Sequence, residues 1–319
     1  MEFVIPTSKD ELLSRKDVNS YCVEDLLTIR QIAPALQAFK SACHGNADCI
    51  VNNFDTLFSI LCLHKDLDPI TREDAWTYLL RGCKTFFRSL SSVLDESDLS
   101  RDDRVKNLNA TKMACYLLCQ FMELFDSEAT RPAAVVAGKG RGKKKQQSSS
   151  STDMDWVKEK KDGIQMLLEF IQLSLNKLWD PPVAEEEFVS LVSTCCYKLL
   201  ENPATSKEKD ALVAIAHIIG NLVKRYNHGL SASLKIDQLL KHFEFLTSPL
   251  AQIVEIIVKD HGCKSIVTEI IREIGNSREA LRDSASGKAY AAFLVEIAEK
   301  IPLFVLPSMS FVLNLLEGE

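Results

Sequence analysis

The strongest constraint on this chain is the stretch 185–226, which has the pattern of two amphipathic helices joined by a short turn. Asn202 and Pro203 end the first helix, because proline lacks the amide hydrogen that would continue the helical hydrogen bonds and disfavours a helical residue before it. Thr205 and Glu208 have the spacing of a capping box, which predicts that the second helix begins there. Two helices joined by so few residues can pack antiparallel, so the stretch predicts a helical hairpin.

The buried seam of this hairpin is predicted from apolar residues that recur three and four positions apart, a spacing that places them on one face of each helix. The predicted core consists of Phe188, Leu191, Val192, Cys195, Leu199, Leu212, Ile215, Ile219 and Leu222. A hairpin with such a seam is a scaffold element and carries no chemistry of its own.

Helical periodicity recurs along the whole chain, and no stretch shows a convincing strand pattern. With only 12 glycines and 10 prolines in 319 residues, the sequence predicts an all-α class. Hairpins are predicted to begin near residues 185, 232 and 264, a mean interval close to the roughly 40-residue HEAT period. We therefore expect irregular HEAT-like helical hairpins that form an α-solenoid.

Residues 126–153 interrupt the helical pattern with a run rich in glycine, lysine and serine, which offers no apolar face to offset the entropy of ordering. We predict a disordered linker there, between an N-terminal helical region (1–125) and HEAT-like hairpins (154–319) that pack with it. The last residues stay apolar and lack the polar face of a capping repeat, which predicts that the natural polypeptide continues.

Composition excludes several classes of protein. At 46% hydrophobic and 26% charged residues, the chain falls within the range of globular proteins. The ten cysteines include several within apolar helical stretches, where a thiol acts as a small hydrophobic group, so a reducing compartment is expected. The first residues lack the basic segment and long apolar core that are typical of a signal peptide, and no apolar run reaches membrane-spanning length, so the sequence predicts neither secretion nor a membrane partner.

Two motifs that suggest enzymatic or metal chemistry do not hold. The run 138–143 resembles a phosphate-binding loop, but Ala137 stands where its first glycine belongs and Lys144 where a serine or threonine should bind magnesium. A zinc site would draw on thiols and imidazoles that lack paired CxxC spacing. Those residues are Cys43, His44, Cys49, Cys62 and His64. We therefore predict no enzymatic activity and no catalytic, cofactor-binding or metal-binding residue.

The basic run within the linker is the candidate site that the sequence does offer. It stands out because the whole chain has 38 basic and 44 acidic side chains. The cluster consists of Lys139, Arg141, Lys143, Lys144 and Lys145. It could contact DNA phosphate, serve as a nuclear-import signal or be a solvated tether. Ser150 and Thr152 each precede an aspartate by three residues, which makes them phosphorylation candidates.

Several segments also resemble the N-terminal region of the condensin complex subunit 1 family, the HEAT-repeat D subunits of condensin I. They are EEEFVSLVSTCCYKLLENP, RYNHGLSASLKI, KSIVTEIIREIG, AAFLVEIAEKIP, FDTLFSIL and LNATKMACYLL. The resemblance implies a non-enzymatic regulatory subunit without cofactors. Its implied partners are a kleisin, two structural-maintenance-of-chromosomes ATPases, and DNA or chromatin, histones included.

The same resemblance implies a role in mitotic chromosome condensation, with the protein in the nucleus and on chromosomes in mitosis and in the cytoplasm in interphase. The alternative is an α-solenoid transport or adaptor protein of the karyopherin or adaptin type, which shares the architecture without these segments.

Overall fold

The computed structural model describes residues 2–13, 21–95, 99–129, 160–173, 178, 186–277, 284–310 and 312–313. Every regular element in these ranges is an α-helix or a short 3-10 turn, which confirms the all-α prediction. The chain divides into two compact units. Unit 1 comprises Met1–Asp180 and Glu185–Cys195, and unit 2 comprises Pro181–Ala184 and Cys196–Glu319.

Unit 1 is built around one long helix, α6. Its helices are α1 (Lys9–Leu13), α2 (Ile29–Ala42), α3 (Cys49–Asn52), α4 (Phe54–Leu63), α5 (Pro69–Asp95), α6 (Arg101–Ala129) and α7 (160–173). Residues 110–119 of α6 are all buried, because α3, α4 and α5 each pack against this helix. Helix α6 runs four residues into the segment predicted as linker, of which residues 130–153 lie outside the described ranges.

Glycine lets α7 approach α5 closely. A Cβ atom at Gly163 would lie 2.6 Å from Cη2 of Trp76, well inside van der Waals contact. Trp76 is 1% exposed, and Phe170 of α7 packs against Phe86 and Phe87 of α5 with ring centroids 5.6 Å apart in both pairs. These contacts fix the position of α7 beside the middle of α5.

Unit 2 is a two-layered array of helices. Its helices are α9 (Pro203–Lys207), α10 (Lys209–Tyr226), α11 (Gly229–His242), α12 (Thr247–Lys259), α13 (Ser265–Asn276), α14 (Ser284–Lys300) and α15 (Pro302–Val305). The preceding helix, α8 (Glu186–Leu200), belongs to unit 1 up to Cys195 and to unit 2 from Cys196. Helices α10, α12 and α14 pack side by side in one layer, and α11, α13 and α15 follow in the second. This stacking of helix pairs is the arrangement of an α-solenoid.

The repeat in unit 2 is more regular than the sequence predicted. Its first-layer helices begin at Lys209, Thr247 and Ser284, intervals of 38 and 37 residues. Helices do begin close to the predicted residues 185, 232 and 264, at Glu186, Gly229 and Ser265, but α11 and α13 lie in the second layer, so the predicted hairpins paired the helices in a different register. An apolar stripe shows that a helix is buried, but it does not identify the neighbour against which the helix packs.

The turn between α8 and α10 also differs from its prediction. The side chain of Asn202 caps α9 by accepting a hydrogen bond from the amide of Ala204 (2.9 Å). Glu208 caps α10 by accepting from the amide of Ala211 (2.7 Å). Thr205 is buried inside α9, so the predicted Thr205–Glu208 capping box was wrong, although the helix end before Pro203 was correct.

Eight of the nine predicted core residues of the hairpin are buried. Leu191 is the exception, because it is only half-buried. The buried face of α8 is rotated toward Val189 and Cys196, which are 3% and 0% exposed. Leu191 therefore lies at the edge of that face, and its predicted full burial was wrong.

Candidate interaction surfaces

The basic cluster predicted in the linker lies outside the described residues. The same holds for Ser150 and Thr152 and for the run 138–143 that resembles a phosphate-binding loop. Contact with DNA, nuclear import and tethering remain predictions for Lys139, Arg141, Lys143, Lys144 and Lys145, and phosphorylation remains one for Ser150 and Thr152.

Three buried cysteines of unit 1, Cys43, Cys49 and Cys115, are structural thiols. Cys43 Sγ donates to the carbonyl of Tyr78 (3.5 Å), and Cys49 Sγ donates to the carbonyl of Gly82 (3.7 Å). Burial raises the pKa of Cys115, so its thiol stays protonated at neutral pH and is a poor nucleophile. In the part of the chain that the structure describes, no three His, Cys, Asp or Glu side chains form a group that could hold a metal ion.

Two histidines of unit 2 meet between α10 and the turn after α12. His217 Nδ1 lies 3.0 Å from His261 Nε2, within hydrogen-bond distance. Burial lowers the pKa of His261, and the neighbouring His217 and Lys224 lower it further, so the neutral ring is favoured. Gly220 makes room for this ring, since a Cβ there would lie 2.3 Å from His261 Cδ2. The pair is therefore a packing contact between α10 and the turn after α12.

A buried carboxylate joins three segments of unit 2. Asp237 is 4% exposed and accepts hydrogen bonds from the Tyr290 hydroxyl (2.7 Å) and the Ser277 hydroxyl (3.3 Å). The Lys241 ammonium, one turn later on α11, lies 2.5 Å from the same carboxylate. Asp237 therefore links α11 to α14 and to the end of α13. Its carboxylate oxygens accept hydrogen bonds that hold these helices together.

A groove of about 580 Å³ opens on unit 1 beside α3 and α6. Phe3, Val51 and Met113 contribute apolar atoms to its lining, while Asp48 and Lys106 form an ion pair at 3.3 Å on its polar side. A lining of apolar residues with a few charged side chains suits the binding of a ligand or a peptide segment. None of these five lining residues forms a catalytic pair of nucleophile and base.

Comparison with known proteins shows the family. A family model described as "non-SMC mitotic condensation complex subunit 1, N-term" matches residues 69–232, about half of the chain. The chain belongs to this condensin subunit family. The condensin match runs from α5 to the start of α11, so it includes His217, whereas Asp237 and His261 lie beyond it.

Individual condensin relatives match over nearly the whole chain. Condensin complex subunit 1 of Mus musculus and that of Homo sapiens are each 40% identical over 100% of this chain and 23% of the relative. The Xenopus laevis protein is 38% identical over 99% of this chain and 24% of the relative. The chain thus spans about a quarter of the length of the curated relatives it matches.

The described helices of this condensin family member lack bilayer-spanning character. None of them combines the length and the apolar composition that crossing a membrane requires.

Proposed function

We propose that this chain is part of a non-enzymatic regulatory subunit of a condensin I complex that acts in mitotic chromosome condensation. The observation that carries the proposal is the family match over residues 69–232, extended by 40% identity along the full chain. The helical repeat of unit 2 supports it, because stacked helix pairs expose long, rigid faces suited to binding other macromolecules.

The partners that we propose are a kleisin, the two structural-maintenance-of-chromosomes ATPases, and DNA or chromatin, histones included. We further propose that the protein is nuclear and chromosomal in mitosis and cytoplasmic in interphase. In this assembly the ATPase subunits supply the energy and this chain supplies binding surfaces. Purified chain should then hydrolyse no ATP and contain no stoichiometric zinc.

The linker would add regulation to DNA contact. Each phosphate on Ser150 or Thr152 brings a charge of about −1.5 to −2 close to the five basic residues of the cluster. Two phosphates would neutralise most of that positive charge. Phosphorylation would therefore weaken any contact between the cluster and DNA.

Co-expression of the chain with the kleisin of the same complex tests the proposal. We expect a complex of defined stoichiometry that survives size-exclusion chromatography and is verified by light scattering. A cohesin-type kleisin, expressed in the same way, serves as the control and should elute separately. Equal binding of both kleisins, or no binding of either, would contradict membership of a condensin complex.

A further inference from the structure

A row of basic side chains lies along the outer face of α5 in unit 1. Arg81, Lys84 and Arg88 are spaced three and four residues apart, so they share one face of the helix. Lys84 and Arg88 are exposed, and Arg81 is half-buried. With a rise of about 1.5 Å per residue, the row is about 10 Å long. Together with Lys40 of α2, these residues define the α5 ridge.

Lys40 and Arg81 are held in place by one aromatic ring. Lys40 Nζ lies 5.1 Å and Arg81 Cζ lies 5.7 Å from the centroid of Tyr78. Both distances are within the range of a cation–π interaction. Tyr78 itself is 5% exposed, so its ring is a fixed support. Two cations positioned in this way lose less side-chain entropy when they bind an anion.

The charges of the α5 ridge are only partly neutralised by the protein itself, although Asp162 and Glu169 of α7 line the same pocket as Lys84 and Arg88. Within the described part of the chain, Lys40, Arg81 and Arg88 form no ion pair. Lys84 lies 3.7 Å from Asp162 of α7, but both side chains are about half exposed. An exposed pair at that distance contributes at most about 1 kcal/mol, so Lys84 can exchange Asp162 for an external anion.

We propose that the α5 ridge is a contact surface for the phosphate backbone of duplex DNA. This proposal rests on the proposed condensin function and deepens it by assigning DNA contact to residues outside the linker. A row of three cations, with Lys40 beside its Arg81 end, suits a repeating polyanion better than a single phosphate group.

Duplex DNA fits the ridge better than a single strand does. Single-strand binding depends on exposed aromatic rings on which bases stack. Here Tyr78 is buried and Phe87 packs against Phe170. The ridge therefore offers charge without a stacking platform, and we expect binding that does not depend on base sequence.

The test is a fluorescence-anisotropy titration of a labelled duplex between about 50 and 200 mM salt, a range over which phosphate contacts are strongly screened. The test variant carries Arg81→Gln and Arg88→Gln. The control carries Lys207→Gln and Lys235→Gln, two exposed positions of unit 2 with the same change in net charge. A third variant, Arg81→Lys with Arg88→Lys, keeps the charge while changing the side chains.

We expect the glutamine variant of the ridge to bind on the order of tenfold more weakly at low salt and to lose about 2 from the slope of log K against log salt. The lysine variant should keep the wild-type slope, and the control should stay within about twofold of wild-type affinity. All three should retain kleisin binding and the wild-type circular dichroism spectrum.

Three outcomes would overturn the proposal. The first is a slope of log K against log salt that is unchanged in the glutamine variant. The second is an equal loss of DNA affinity in the unit 2 control. The third is that polyglutamate displaces the labelled duplex as well as unlabelled duplex does at matched charge. Each would leave the condensin assignment standing if kleisin binding persists. If the wild-type chain does not bind the kleisin, the proposed function is refuted instead.

Discussion

Removal of the Asp237 carboxylate should destabilise unit 2 by about 2 to 3 kcal/mol. A buried hydrogen bond to a charged group contributes about 1.5 to 3 kcal/mol, which applies to the Tyr290 hydroxyl at 2.7 Å. The Ser277 hydroxyl at 3.3 Å adds less. The Lys241 side chain is 28% exposed, so it can recover hydration and adds under about 1 kcal/mol. The cost of burying the carboxylate offsets part of this sum.

Urea unfolding followed by far-ultraviolet circular dichroism measures this effect. Asp237→Ala should show the full loss, and Tyr290→Phe should show about 1.5 kcal/mol because only one charged hydrogen bond is removed. The double variant should lose less than the sum of the two, since both changes remove the same bond. A loss below about 0.5 kcal/mol for Asp237→Ala, or strict additivity, would refute the reasoning.

Three further predictions concern packing and pH. The melting temperature should fall as pH is lowered from about 7.5 to about 5.5, because the pKa of His261 is lower in the folded protein and the unfolded chain therefore takes up the proton first. His261→Gln should make the melting temperature depend less on pH. An unchanged pH profile in this variant would exclude the histidine pair as its cause. Gly220→Ala should cost about 1 to 3 kcal/mol, since the new Cβ would overlap the His261 ring, and a neutral result in thermal melting would contradict that overlap. Val192→Asp should lower the free energy of unfolding by several kcal/mol, because the site is fully buried. Leu191→Asp, at a half-buried site, should lower it by less than half as much. Equal losses of stability in urea unfolding would show that the buried face of α8 is misassigned.

Helix type and location could be predicted from the sequence because amphipathic spacing directly reflects burial. The periodicity of α10 predicted its buried residues, including Ile215 and Ile219, both at most 1% exposed. Packing partners could not be predicted in this way. The stripe of α10 does not reveal that α12 lies beside it, and the repeat register depends on that neighbour. Leu191 was misplaced for a related reason, because a residue at the edge of a stripe satisfies the spacing rule equally well.

The residues of the interaction surfaces were predictable only in part. The spacing of Arg81, Lys84 and Arg88 is visible in the sequence and predicts a basic helix face. The addition of Lys40 depends on the packing of α2 against α5, which brings both cations to Tyr78. The contact between His217 and His261 spans 44 positions, and no local pattern indicates it.

Affinity purification of the protein that carries this chain from mitotic cells, with quantitative mass spectrometry of the recovered proteins, tests the central claim most directly. We predict near-equimolar recovery of one kleisin and two structural-maintenance-of-chromosomes ATPases. The complex should resist washing at high salt, because the interfaces of permanent complexes are more hydrophobic than those of transient ones. Recovery of import cargo or vesicle-coat proteins in place of the ATPases and kleisin would contradict the condensin assignment and would favour a transport or adaptor solenoid.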